Sequence, residues 1–304
     1  MEKQKLNHYL ALFIGIMCIS WSAPFIKLAN VEGIASAFYR MLFASLACIP
    51  IYFLYKNKKP ISKEAILWGA LGGLFFGCDI ALWNTALVIS KASVSTLLAN
   101  LAPVWVGFGA MFIFRERPKI LFWIGTTIAI LGVTIIVGFD KLKLDKFEIG
   151  YILSIAASFF YASYLLSTQK IRTMLDTISF TTISMISSTI VLFIFALLFN
   201  TKLTGFSAGS WWALIGVGLI SQLTGWLAIN YALGYIKSSI ASVSLLSQSV
   251  FTAIIAYPVL NEKLTLYEAI GGVVVLLGIY LVNKKNAQQK TTAIEATELL
   301  TVKN

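Results

Sequence analysis

An aspartate stands at position 79 inside an otherwise uncharged run from Ala65 to Ile89. A charged side chain at the centre of a bilayer helix costs about 2.5–3.5 kcal/mol on insertion scales, so such a residue is a functional candidate by default. On a helix, Trp83 lies four residues on, about 40° around, and shares the face of Asp79. That pair can line a cavity in which Asp79 meets an ammonium group or a coupling proton and Trp83 packs the body of a solute. An acid hydrogen-bonded to a neighbouring helix, or set beside a water-filled vestibule, is the structural alternative. Arg40 offers a cation for an anionic group such as a carboxylate, unless it extends to the membrane surface. Gln222, Trp226 and Asn230 recur every four residues and form one stripe, whose first two members are candidate cavity residues. Trp21, Asn100, Tyr161, Tyr164 and Gln248 are further polar or amphipathic residues within apolar runs. Each can line a cavity or satisfy itself across a helix contact. Together these residues suit binding of a small polar solute inside a membrane.

The elements that must position them are long apolar helices. The chain has 304 residues, 58% hydrophobic and 12% charged, where a soluble domain carries about 25% charged residues. Ten apolar segments are read at 9–29, 34–55, 65–89, 93–114, 120–138, 149–169, 177–199, 211–234, 238–260 and 266–282. Each approaches the 17–25 residues that span a bilayer as a helix. Their continuous apolarity, without alternation, favours helices over a β-barrel. The first segment begins like a signal peptide but continues through Trp21 to Ala29, long enough to span. The expected fold is an all-α integral membrane protein. After an N-terminal tail, 1–8, come five helices over 9–138, a connection at 139–148 and five more over 149–282. The polar tail, 283–304, is expected to be disordered apart from a short helix near Ala293–Leu300.

The two halves repeat. Residues 84–136 and 230–282 share twelve identities in 53 ungapped positions, at an offset of 146. Asn84, Lys91, Glu116, Gly125 and Gly132 return as Asn230, Lys237, Glu262, Gly271 and Gly278. Composition explains shared leucines, but not matched Asn, Lys, Glu and Gly, so the chain is read as an internal duplication. Asp79 has no acidic counterpart: Trp226 sits one position after its equivalent. With five spans per copy, the second copy enters the membrane from the opposite side. Inverted repeats of this kind build secondary transporters with a site near the midplane between the halves. If the N-terminus is cytoplasmic, 16 Lys and Arg residues fall inside and 7 outside, so both termini are assigned to the cytoplasm and the protein to the cytoplasmic membrane.

Other residues are given structural roles. Gly69, Gly73 and Gly77 form a small-residue ridge for close helix packing, with Asn84 on the same side. Asn84 and Asn230 are expected to hydrogen-bond between helices. Glu116 and Glu262 each close a span and can accept from the unpaired donors at the start of the next helix. The net charge of +11 is spread over short connections, as topology requires, and does not indicate nucleic acid. Cys18, Cys48, Cys78 and His8 show no disulfide or metal spacing, so no metal and no cofactor is expected. No phosphate-loop motif and no His-based or paired-carboxylate site suggests an enzyme.

Trp21-Ser-Ala-Pro-Phe-Ile-Lys27, Arg40 near the start of the second span, and Glu116 and Glu262 with the glycines after them resemble the EamA family of the drug/metabolite transporter superfamily. The resemblance covers about residues 8–284; Ser22 stands where the family usually has Gly. It implies ten helices, a central cavity lined mainly by spans one to four and six to nine, and export or exchange of small polar metabolites. Members carry amino acids, nucleotide-like compounds and drugs. The expected function is a permease that exports amino acids or related metabolites by alternating access. The partners are the solute and the lipid bilayer, proton coupling through Asp79 is one source of drive, and the protein acts as a monomer or homodimer. A drug or nucleotide-type carrier, and a non-transporting scaffold or sensor, are the other readings.

Overall fold

The computed structural model describes residues 2–56, 60–89, 97–137, 149–260 and 265–301. Among them, nine helices are long and apolar enough to cross a membrane. In the first half these are Asn7–Ala29, Gly33–Leu54, Lys63–Ala86 and Ile120–Val137. In the second half they are Ile149–Ile171, Thr177–Leu198, Ala208–Leu233, Ser238–Leu260 and Leu266–Asn283. A shorter apolar helix, Leu97–Ile113, takes the fourth place in chain order. These are spans 1 to 10 of an all-helical membrane protein. Residues such as Phe112, Leu54 and Leu198 are 70–82% exposed, an apolar surface that only lipid covers favourably.

Helix ends are written in local sequence. Asp176 caps span 7, its carboxylate accepting from the Ser179 backbone N–H at 2.9 Å, and Ser207 caps span 8 through the Ser210 N–H. Thr265 and Glu268 form a reciprocal capping box that opens span 10, a strong helix start. Asn30 ends span 1 in the left-handed region, which asparagine tolerates. Both termini depart from the expected tails. The first helix already begins at Glu2, and the last runs on to Thr301. Residues 283–301 contain neither Gly nor Pro and are rich in Ala, Gln, Lys, Glu and Leu, which propagate a helix once span 10 has nucleated it.

Three spans are interrupted where hydropathy shows no break. Span 1 is broken at Trp21. Span 4 turns at Asn100–Leu101 and span 9 at Leu246–Ser247, positions separated by the repeat offset of 146. The backbone bonds there correspond as well. Asn100, Leu101 and Val104 N–H groups donate to the carbonyls of Leu97, Leu98 and Leu101, while Leu246, Ser247 and Val250 donate to Val243, Ser244 and Ser247. All six bonds run from i to i−3, the 3₁₀ pattern that mid-helix often marks a hinge. Span 8 carries a π-helical segment, Val217–Gly225.

The principal helix pairings are 5 with 10, 3 with 6 and 7, 8 with 1 and 2, 2 with 7, 4 with 6, 9 with 1, and 4 with 9. Exchanging each span for its equivalent five places away returns the same set. One continuous core joins spans 1–4 and 6–9; a second lies around spans 5 and 10, with Val243 and Leu246 from span 9. Spans 5 and 10 cross at their glycines, Gly125 against Gly278 and Gly132 against Gly271. Since numbering rises along one helix as it falls along the other, the two run antiparallel.

Candidate functional site

Arg40 lies two turns into span 2 and is buried. Its Nε and Nη2 both donate to the side-chain oxygen of Gln222 in span 8, at 2.9 and 2.7 Å. The approach depends on missing side chains. A Cβ on Gly218 would lie 2.7 Å from Phe43 Cβ and 3.3 Å from the Arg40 carbonyl. The π-helical turn around Gln222 adds a distortion of the kind found at functional sites. Because the guanidinium takes the amide oxygen, it fixes the amide orientation. Gln222 Nε2 then points away from Arg40, buried and without a hydrogen-bond partner among the described residues.

Asp79 of span 3 is half-buried. Its carboxylate interacts electrostatically with Arg40 and with Tyr161 of span 6. One turn on from Asp79, the Trp83 indole N–H is buried and has no partner among the described residues. Beside these groups stands an aromatic wall. Phe76 stacks on Tyr164 at 4.4 Å, and Trp226 sets its edge against Phe76 at 4.6 Å, Tyr164 at 5.3 Å and Tyr161 at 6.0 Å. Under the 146-residue offset Phe76 is the counterpart of Gln222. One half of the protein thus supplies polar groups where the other supplies an aromatic stack.

A second network holds this wall. Tyr164 donates through its hydroxyl to Asn230 Oδ1 at 2.9 Å, and Asn230 Nδ2 donates to Thr181 Oγ1 at 3.1 Å. Asn84 donates to the Gly33 carbonyl at 3.0 Å, tying span 3 to the start of span 2. The Gly69, Gly73 and Gly77 ridge packs on Ile183, Ser184, Ser187 and Val191 of span 7. Tyr164→Phe leaves the Asn230 oxygen without its donor in the core. The expected loss is about 1–3 kcal/mol, read as a lower melting temperature in detergent.

The remaining residues singled out from sequence occupy other positions. Gln248 and Trp21 lie at the interruptions of spans 9 and 1. Gln248 Nε2 donates to the Ile19 carbonyl at 3.4 Å and Thr252 to the Ser20 carbonyl at 3.0 Å, stapling the two breaks together. Trp21 packs on Phe25, and Asn100 is at the turn of span 4. Glu116 forms an ion pair with Lys237 at 3.1 Å, from one half to the other. Glu262 and Lys91, their equivalents, lie outside the described residues. Sequence reasoning did not single out Phe76 or the pairing of Arg40 with Gln222. The only signal for the first was its place three residues before Asp79.

The comparisons agree with this architecture. The profile of the EamA-like transporter family matches residues 6–138 and again 148–284. An uncharacterized transporter of Archaeoglobus fulgidus is 27% identical over 292 residues, covering 93% of this chain and all of the relative. The uncharacterized transporter YdfC of Bacillus subtilis is 25% identical over 284 residues, 91% of each chain. A protein of known crystal structure superposes with a TM-score of 0.77 over 93% of this chain and 98% of its own, at 13% identity, a likeness of fold. A doubled family match over nearly the whole chain, relatives matched over nine-tenths or more of their length and an all-helical membrane fold lead to one conclusion: this chain belongs to the EamA-like transporter family.

Proposed function

We propose that this transporter moves small zwitterionic solutes, amino acids or close relatives, outward across the cytoplasmic membrane by alternating access. One observation carries the substrate class. Two buried donors, Gln222 Nε2 and Trp83 Nε1, have no partner among the described residues, and they accompany a buried cation, Arg40, and an acid, Asp79. An unpaired buried donor costs about 1–3 kcal/mol. A solute carboxylate repays that by accepting from Gln222 and Arg40, and its ammonium group is attracted to Asp79. The aromatic wall then packs a short side chain.

Gln222 and Trp226 are 0% and 4% exposed. A solute reaches them only when helices part, and the paired 3₁₀ turns in spans 4 and 9 are the hinges we assign to that motion. The antiparallel crossing of spans 5 and 10 and the exchangeable helix pairings support two repeats of opposite orientation that rock about the site. The Lys and Arg distribution supports cytoplasmic termini. Asp79 carries the coupling proton.

The test is counterflow in proteoliposomes with amino acids, nucleosides and organic cations, with and without an inward-acidic gradient. Amino acid flux that rises with the gradient, and loses that response in Asp79→Asn, is expected. Flux indifferent to the gradient removes the proton from Asp79. Exchange of nucleosides or organic cations but of no amino acid removes the zwitterion assignment.

A further inference from the structure

We propose that the protein binds an ammonium-bearing glycerophospholipid of the phosphatidylethanolamine type in a groove along span 8, separate from the solute site. The groove encloses about 700 Å³ between span 8, the first turn of span 7 and the end of span 2. Its long wall runs from Thr224 to Tyr235; the helical part, to Leu233, is about 13 Å long at 1.5 Å per residue. That is close to one leaflet of a hydrocarbon core about 30 Å thick.

The groove is not the back of the solute site. Trp226 and Asn230 mark the inward face of span 8. Leu227, Ala228 and Tyr231 line the groove and lie roughly 130° around the helix from them. This face turns toward the bilayer, where a lipid is always at hand.

Its chemistry changes along its length. Leu227, Ala228 and Ile178 make an apolar stem. At the end where span 1 begins, Tyr55, Tyr231, Tyr235, Arg172 and Asp176 form a polar rim. Tyrosines of this kind sit at headgroup level. Arg172 is held by two carbonyls, its Nε donating to Asn230 O at 3.2 Å and its Nη1 to Leu175 O. Among the described residues its Nη2 has no acceptor, and it lies against Gly234, where a Cβ would come within 3.0 Å of it. A phosphodiester is the acceptor suited to that free donor and to the tyrosine hydroxyls. Asp176 interacts electrostatically with Arg172. Its carboxylate is fixed by Ser179, from N–H and hydroxyl, at 2.9 and 2.7 Å. One fixed cation beside one fixed anion complements a zwitterionic headgroup better than an anionic one.

The experiment is native mass spectrometry of the full chain titrated with phosphatidylethanolamine, phosphatidylglycerol and glycerophosphoethanolamine. Wild type should hold one phosphatidylethanolamine at least tenfold more tightly than Ala228→Trp, which fills the stem, and Arg172→Gln, which removes the cation. Should Arg172→Gln fail to fold, because it braces two backbone carbonyls, Ala228→Trp decides alone. Leu197→Trp, on the lipid-facing side of span 7, should bind as wild type does. Equal binding by wild type and Ala228→Trp, phosphatidylglycerol bound as tightly as phosphatidylethanolamine, or glycerophosphoethanolamine bound as tightly as the intact lipid would each overturn the assignment.

Discussion

Arg40→Leu is expected to abolish counterflow and to destabilise the protein at the same time. Removing one member of a buried charge arrangement costs about 3–5 kcal/mol, because the remaining charge is left uncompensated. Here that charge is Asp79, with the Gln222 oxygen also losing both its donors. If the same free energy is lost from solute binding, affinity falls by roughly a hundredfold to a few thousandfold. The double variant Arg40→Leu/Asp79→Asn separates the two consequences. It leaves no unbalanced charge, so most of the lost melting temperature should return. Transport should not, since neither end of a zwitterion is recognised. A double variant that transports like wild type would make the two charges structural and end the site assignment. Arg40→Lys tests the geometry between these extremes. It keeps the charge but loses the planar fork that gives two bonds to one oxygen, so KM should rise more than the melting temperature falls.

Much of this architecture is legible before any coordinates. Span positions follow from hydropathy, because only a helix with its own backbone bonds can cross lipid. Asn84 and Asn230 could be assigned to helix contacts because an amide at depth needs a partner, and each has one. Less could be read where the answer depends on the other half of the chain. Arg40 and Gln222 are 182 positions apart, and nothing local to either states that Gly218 clears a path between them. The interruptions at Leu246–Ser247 and Asn100–Leu101 contain neither Gly nor Pro, so hydropathy runs through them unchanged. The break in span 9 is held by the bond from Gln248 to the Ile19 carbonyl, and in span 4 Pro103, in the first turn after the break, has no backbone N–H to carry the helix ladder across it. The Glu116–Lys237 pair falls between. Both residues belong to the repeated skeleton, but an offset relates equivalent positions and does not say which of them touch.

Gly278→Leu is expected to remove most of the folded protein. A Cβ at Gly278 would stand 2.5 Å from the Gly125 carbonyl oxygen and 2.6 Å from the Ala129 nitrogen, and one at Gly132 would stand 2.5 Å from the Val275 nitrogen. These are backbone atoms of the facing helix, with no flexible side-chain end to give way. Overfilling a packed contact costs about 1–3 kcal/mol where neighbours can adjust; here spans 5 and 10 would have to part along their whole crossing. Gly278→Ala should lower the melting temperature, and Gly278→Leu should reduce the yield of monodisperse protein in detergent by tenfold or more. Gly209→Leu is the matched control, since among the described residues a Cβ there meets only the Ser207 hydroxyl, at 3.7 Å. Indifference of the protein to Gly278→Leu would mean that the helices do not cross so closely. The position of this seam explains why its glycines recur. It joins the first half of the chain to the second in an antiparallel contact, away from the core that holds Arg40 and Asp79. Under the rocking motion proposed above, one contact has to stay closed while the site opens, and four glycines set backbone against backbone would provide it without long side chains that must repack at each cycle.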